Sequence, residues 1–259
     1  MSIKTAKHIL YALAFMAIIG LPVLAEKAKD TDNDGILDND EIEVYYTNPE
    51  KKDTDADGYS DWHELNSGYS PHNPEPVKLE ANDQDSDGLF DRMELNFHTS
   101  IVDPDTDDDG LSDGAEIRAG FDPLDNNPEA RLEKRIEIDT ENQKLSYFLG
   151  GVRMEKFIVS TGLPSMPTPK GAFEIDGKSK RAWSARYGLW MPFWMSLNQG
   201  KFGIHELPEW PASAGRPGGY KEGANHLGKP ASHGCIRLGV GDAKILYDWA
   251  ELGTEVVIY

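Results

Sequence analysis

The chemistry in this sequence gathers around Cys235, the single cysteine among 259 residues, set in the run Ser232-His233-Gly234-Cys235-Ile236-Arg237. The thiolate is the reactive form of cysteine, and a free thiol with a pKa of about 8.5 is mostly protonated at neutral pH. A nearby imidazole takes that proton and later returns it to a leaving amine. Three histidines are within reach of that role: His205, His226 and the adjacent His233. Gly234 lets the chain turn tightly, so that backbone N–H groups beside Cys235 can aim at an oxyanion. Arg237 supplies a fixed positive charge suited to a carboxylate. A base delivered by a separate strand favours His205 over His226, which sits in a loop before Leu227-Gly228-Lys229-Pro230.

The elements that must position these residues lie between Arg131 and Tyr259. Ile136–Asp139 and Lys144–Leu149 alternate like two strands around a turn containing Asn142, with further strands at Met154–Ser160, Gly171–Ile175 and Val256–Tyr259. One helix is expected over Asp242–Leu252, with Asp242 as its cap and Ile245, Leu246, Trp249 and Leu252 on one face. A mainly β domain with one packed helix follows. Leu189–Met195, with Trp190, Phe193 and Trp194, reads as strand and core. Lys178, Lys180, Arg181 and Arg186 read as a solvated basic face.

Three stretches in order, Ser160-Thr161-Gly162 with Pro167-Thr168-Pro169-Lys170-Gly171, then Phe202-Gly203-Ile204-His205, then Leu227 to Leu238, resemble the L,D-transpeptidase (YkuD) catalytic domain. The likeness covers roughly residues 133 to 259. It implies an L,D-transpeptidase-like mixed sheet or barrel, Cys235 as nucleophile and His205 as base. The carbonyl of Glu206 would orient the imidazole, and His233 would shape the site or assist the oxyanion. The amides of Gly234 and Cys235 would be the oxyanion donors, and Arg237 with Ser232 would meet the substrate. Two departures stand out. Glu206 occupies a place where a small residue is common, and the stretch from His205 to Ser232, holding Trp210, Arg216, Gly218-Gly219 and Tyr220, is unusually long. The long stretch is expected to form an enlarged loop over the cleft that bears on substrate choice.

The implied reaction acts on peptidoglycan stem peptides: Cys235 forms a thioester with a tetrapeptide donor, D-Ala leaves, and an amine takes the acyl group. That amine would be a second stem peptide, an envelope protein or a D-amino acid. Water as acceptor would make the protein an L,D-carboxypeptidase on the same residues. A reading of another class is a calcium-dependent wall-binding module with an inactive catalytic domain. No cofactor is expected for catalysis.

The first half of the chain has a different composition. Residues 26–130 carry 31 acidic against 7 basic side chains, whereas residues 131–259 carry 14 against 17. Such asymmetry argues for two domains and makes nucleic acid an unlikely partner. The acids fall in four copies of one twelve-residue template: Asp30, Asp32, Asp34, Asp38 and Glu41; Asp53, Asp55, Asp57, Asp61 and Glu64; Asp83, Asp85, Asp87, Asp91 and Glu94; Asp105, Asp107, Asp109, Asp113 and Glu116. Acids at positions 1, 3, 5, 9 and 12 with Gly at 6 match an EF-hand loop, in which position 7 adds a carbonyl and the last Glu binds through both oxygens. Without a long helix before each loop, and with Pro between copies, the array resembles thrombospondin type-3 repeats. A compact calcium-loop array with short helices and structural Ca2+ is implied.

Residues 1–25 read as a signal peptide: Lys4 and Lys7, an apolar stretch from Ile9 to Gly20, and a cut after Ala25. That gives residues 26–130 to the repeats and 131–259 to the catalytic domain, in a protein exported to the periplasm or envelope without stable membrane insertion.

Overall fold

The computed structural model describes residues 29–213 and 218–259. The signal-peptide reading and Arg216 therefore lie outside the described residues.

Each acidic loop folds alike. Position 4 takes a left-handed backbone in all four copies (Asn33, Ala56, Ser86 and Asp108, φ 61–67°), and the glycine at position 6 follows at φ 91–113°. A side chain at position 6 would be strained, and this is why Gly recurs there. The ninth position starts a short helix: α1 (Asp38–Asp40, continuing as a π-helical stretch Glu41–Tyr45), α2 (Asp61–Ser67), α3 (Asp91–Phe97) and α4 (Asp113–Ala119). Left-handed caps at Gly68, His98 and Gly120 end the last three.

The loops pair across copies. Asp34 Oδ2 accepts from the Trp62 amide in α2 at 3.1 Å, and Asp87 Oδ2 accepts from the Gly114 amide in α4. A fifth-position acid of one loop thus holds the first turn of the next loop's helix, where amides lack intrahelical partners. A Cβ on Gly114 would stand 2.9 Å from the Asp87 carbonyl oxygen, so glycine permits the close approach.

The second half is one twisted mixed sheet. Its strands are β1 (Lys134–Asp139), β2 (Lys144–Leu149), β3 (Val152–Ile158), β4 (Gly171–Ser184), β5 (Leu189–Leu197), β6 (Phe202–Glu206), β7 (Glu209–Trp210), β8 (Tyr220–Lys221), β9 (Ile236–Leu238) and β10 (Glu255–Ile258). The order is β3-β2-β1-β10-β4-β5-β6-β9, with the β7–β8 ribbon attached to β5. β1 pairs with β10 in parallel, and β6 with β9 in parallel; the other pairings are antiparallel. The core joins Ile136, Ile138 and Leu145 to Ile175, Met195, Leu197, Ile204, Ile236, Val256 and Ile258.

Helix α5 (Asp242–Trp249) packs on this core through Ala243 and Leu246. Gly241 rather than Asp242 takes the N-cap position, with φ 94°. Ile245 and Leu252 are exposed, so the buried face is narrower than the apolar spacing suggested. Lys178 is not part of a solvated face. Its Nζ donates to the carbonyls of Tyr247 and Ala250, closing the helix's C-terminal end. Cations there satisfy orphan carbonyls and oppose the helix dipole.

The boundary between the halves is an apolar seam. Leu89, Phe97 and Ile117 of the third and fourth repeats form one buried cluster with Leu149, backed by Met93, Leu132, Val152, Met154 and Trp249. Phe121 bridges to Arg131, and the Leu132 amide donates to Gly120.

Candidate active site and repeat sites

Strands β6 and β9 run side by side with His205 opposite Arg237 and Ile204 opposite Ile236. Continuing that register sets Cys235 beside Gly203. Cys235, Arg237 and His205 therefore share one face, since facing residues on paired strands point the same way and alternate residues repeat the direction. All three line a cleft of about 730 Å³ together with His233, Glu222 and the aromatic side chains Trp183, Tyr187, Trp194 and Trp210. Gly203 must be glycine here: a Cβ would fall 2.3 Å from the Met195 carbonyl and 2.7 Å from the Trp194 ring.

The segment bearing Cys235 is held from its other side by Ser160–Leu163. Ser160 and Arg237 exchange both backbone hydrogen bonds, the Ser232 and Ala231 amides donate to Thr161, and the Leu163 amide donates to Ser232. Thr168 Oγ1 accepts from the Gly162 amide. This is the physical use of the Ser-Thr-Gly and Thr-Pro stretches: they clamp the turn that carries Cys235.

Ser232 completes that clamp. It is fully buried, its hydroxyl donates to the Cys235 carbonyl at 2.5 Å, and its oxygen accepts from the Gly234 amide at 3.1 Å. Ser232 is thus a support of the turn rather than a substrate contact, because both its hydrogen-bonding roles are used internally. The same bond occupies the Gly234 amide, which narrows the oxyanion expectation to the Cys235 amide. Gly234 has φ 113°, the left-handed region that favours glycine.

His205 is 3% exposed, and its Nδ1 lies 2.6 Å from the Glu206 carbonyl oxygen. A carbonyl only accepts, so Nδ1 carries the proton and Nε2 keeps its lone pair. Burial lowers the His205 pKa to about 4; the Glu206 carbonyl opposes that shift and Arg237 adds to it. Burial likewise raises the Cys235 thiol above its usual range, against a backbone hydrogen bond from Gly203 and the charge of Arg237. At neutral pH the resting pair is an imidazole base and a protonated thiol.

The Glu206 side chain explains its departure from a small residue. Its carboxylate accepts from Lys221 Nζ and from the Gly241 amide, anchoring the return limb of the long loop. The next residue of that limb, Glu222, is buried against Arg237, with 2.9 and 3.0 Å from Arg237 Nη1 to its two oxygens. His226 Nδ1 lies 2.9 Å from the same carboxylate, placing His226 in the loop's own contacts and outside the cleft lining. His233 is exposed at the mouth, stacked on Tyr187 with ring centroids 4.6 Å apart. Glu222, Lys221 and Tyr187 were not singled out from the sequence. The only signal toward the first two was the loop's length.

In the repeats, the ligand atoms of the acids at positions 1, 3 and 5 lie within 4.8 Å of one another in every loop. One oxygen of the third-position acid accepts the fifth-position amide in each loop, at 3.0–3.1 Å. The other oxygen (Asp32, Asp55, Asp85 and Asp107 Oδ2) is buried without a partner among the described residues. So is at least one oxygen of every twelfth-position Glu, and both oxygens of Glu94 and Glu116. Burial raises these four acids to about 7 (Glu41), 8 (Glu64), 9 (Glu94) and 7 (Glu116), with neighbouring aspartates adding to the shift. Buried carboxylate oxygens converging without donors are the donor set of a hard cation such as Ca2+.

The ninth-position acids do something else. Asp38, Asp61 and Asp113 each accept both the amide and the hydroxyl of the second-position threonine, Thr31, Thr54 and Thr106. Asp91 accepts from the Gln84 amide, Ser70 Oγ and Asn82 Nδ2. These four side chains latch the loop shut, and they are not among the acids whose ligand atoms gather within 4.8 Å of one another.

A mixed β-sheet with one packed helix, carrying a Cys–His–Arg cleft and preceded by acidic loops, defines the class. Residues 133–258 match the YkuD family, the L,D-transpeptidase catalytic domain, and residues 30–49 and 105–126 match the bacterial TSP3 repeat. The chain is 32% identical over 128 residues to a Bacillus subtilis (strain 168) protein named "Putative L,D-transpeptidase YciB", a span of 48% of this chain and 64% of that one. Among solved structures, an L,D-transpeptidase from Mycobacterium smegmatis is 19% identical, covering 50% of this chain and 60% of that chain at a TM-score of 0.42. One from Stackebrandtia nassauensis is 29% identical, covering 51% and 57%, at 0.41. The chain thus spans about three fifths of the length of these relatives.

Proposed function

We propose that this protein is an exported L,D-transpeptidase acting on peptidoglycan stem peptides, with calcium holding its repeats. The observation that carries the reading is His205, fixed by the Glu206 carbonyl so that Nε2 is the basic nitrogen, on the same face as Cys235 and Arg237.

In the first half-reaction Cys235 Sγ attacks the carbonyl of the third residue of a tetrapeptide stem, and its proton passes to His205 Nε2. The Cys235 amide holds the oxyanion. The intermediate collapses with cleavage of the peptide bond, and the departing D-Ala amine takes the proton from Nε2. An acceptor amine then attacks the thioester, gives a proton to Nε2, and the thiol is regenerated. With a side-chain amine of another stem the product is a 3→3 crosslink; with water it is a tripeptide. The clamp around Ser232 keeps Sγ placed through both steps, a contribution of positioning.

In the repeats, the first, third and fifth acids, the seventh-position carbonyl and the twelfth glutamate of each loop would hold Ca2+, which supplies charge neutralisation at the buried carboxylates. Among the described residues no helix is long and apolar enough to cross a membrane.

Defined tetrapeptide muropeptides incubated with the protein, followed by mass spectrometry, test the reaction. Dimers that have lost D-Ala support transfer to an amine, and tripeptide alone supports hydrolysis. No product and no Cys235 acyl adduct would leave the wall-binding module as the better account.

A further inference from the structure

The long loop between β6 and β9 delivers a buried acid to the residue expected to meet substrate. Glu222 and Arg237 are both under 10% exposed, and among the described residues the guanidinium donates through Nη1, to Glu222 Oε1, Glu222 Oε2 and the Ala231 carbonyl at 3.2 Å. Among the described residues Arg237 Nε is buried with no partner. A buried donor of a charged group without an acceptor is costly, and it marks a place where a ligand can supply one. The neighbouring residue Lys221 ties the same strand to Glu206 and Glu209, so Glu222 is held in place rather than carried on a loose loop.

Position narrows the ligand. Arg237 follows Cys235 by two residues, which along a strand is about 7 Å on the same face. A donor's leaving residue lies one residue beyond the scissile carbonyl, about 3.8 Å per Cα step. Its terminal carboxylate therefore falls within reach of a guanidinium anchored beside the nucleophile.

We propose that Glu222 is a positioning residue: by holding Nη1 it turns the rest of the Arg237 guanidinium to the donor's terminal carboxylate, and so makes the enzyme select donors with a free C-terminal acid. This deepens the transpeptidase reading and rests on it. Glu222 acts through Arg237, whose Nη1 donates to both of its carboxylate oxygens.

The experiment compares two tetrapeptide stems, one ending in the D-Ala carboxylate and one in the D-Ala carboxamide, as donors for the full-length wild type, Glu222→Ala and Glu222→Gln. Formation of the Cys235 thioester is followed by mass spectrometry, with kcat and KM for D-Ala or D-Ala amide release. A charged hydrogen bond to carboxylate predicts that the wild type prefers the acid by roughly ten- to hundredfold in kcat/KM. In Glu222→Ala the preference should fall below about threefold, mainly through KM for the acid donor, on the same scale. Glu222→Gln keeps one acceptor oxygen for Nη1, is the safer variant for folding, and should retain an intermediate preference. Melting curves identify any variant that has lost its fold. An unchanged preference in both variants, or an equal loss with both donors, overturns the assignment by leaving Glu222 a purely structural role. A preference that rises overturns it too, since Glu222 would then be a competitor for Arg237. A wild type that forms no thioester with either donor removes the transpeptidase reading itself.

Discussion

For His205, burial and the Glu206 carbonyl set how the site responds to pH. With its pKa near 4, the imidazole stays neutral across the range in which an ordinary histidine titrates. We expect kcat/KM for thioester formation to stay level between about pH 5.5 and 7.5. An acid limb centred near the ordinary histidine value of 6.5 would mean that the ring is solvated. Stability carries the same signature. Between the unfolded value of 6.5 and the folded value of about 4, the unfolded chain binds more protons, so acidification through that window should destabilise the fold and raising the pH should restore it. Cys235→Ala should abolish acyl adduct formation without loss of melting temperature. Ser232→Ala leaves the Gly234 amide and the Cys235 carbonyl without their shared hydroxyl, a loss of about 1–3 kcal/mol; denaturant melts measure it, and a lowered kcat should accompany it. Cys235, His205 and Arg237 were legible because motif residues and their order are written in the chain. Glu222 was not: its pairing with Arg237 depends on the path of a loop with neither hydrophobic period nor repeat.

At the scale of elements, the repeats were the more readable half, because four copies of a template constrain one another. Template matching counts acids, however, and does not see what else an acid can accept. That is why the ninth-position aspartates read as ligands, while the geometry makes Asp38, Asp61 and Asp113 latches for threonine and Asp91 a latch for Gln84, Ser70 and Asn82. Thr54→Val should therefore loosen the second loop although it removes no carboxylate. It deletes the bonds from Thr54 Oγ1 to Asp61 and from the Asn48 amide to Thr54 Oγ1. We expect weaker calcium binding in that loop by calorimetry, with about 1 kcal/mol lost per bond. Among the strands, β1, β2 and β10 followed from alternation, but β4 runs to Ser184, well past the expected Gly171–Ile175. Its outer half holds no fully buried residue and forms one wall of the cleft with β5, so it lacks the alternation that one core-packed face produces.

Over the whole molecule, the acidic array and the catalytic sheet share an apolar seam, so the two halves should not behave as beads on a string. Glu94 and Glu116 sit on the helices that send Phe97 and Ile117 into the cluster with Leu149 and Trp249. A cation bound at these loops stabilises the folded state, by about 2.7 kcal/mol at a hundredfold excess over Kd. We expect calcium to raise the melting temperature of the catalytic sheet. Glu94→Gln with Glu116→Gln should blunt that rise more than Glu41→Gln with Glu64→Gln, as followed by tryptophan fluorescence. Equal blunting would mean that the seam transmits nothing. Phe97→Ala should separate the halves at a cost of about 3 kcal/mol.

The central place of β10 has its own bearing on how the molecule assembles. β1–β3 and β4–β9 meet in the sheet only through that strand, which follows every other element in chain order. During synthesis the meander and the half bearing the cleft emerge as two unfinished sheets with open edges. They become one body only when residues 255–258 slot between them. Cys235 and His205 can thus be made early, yet the platform beneath them is completed last.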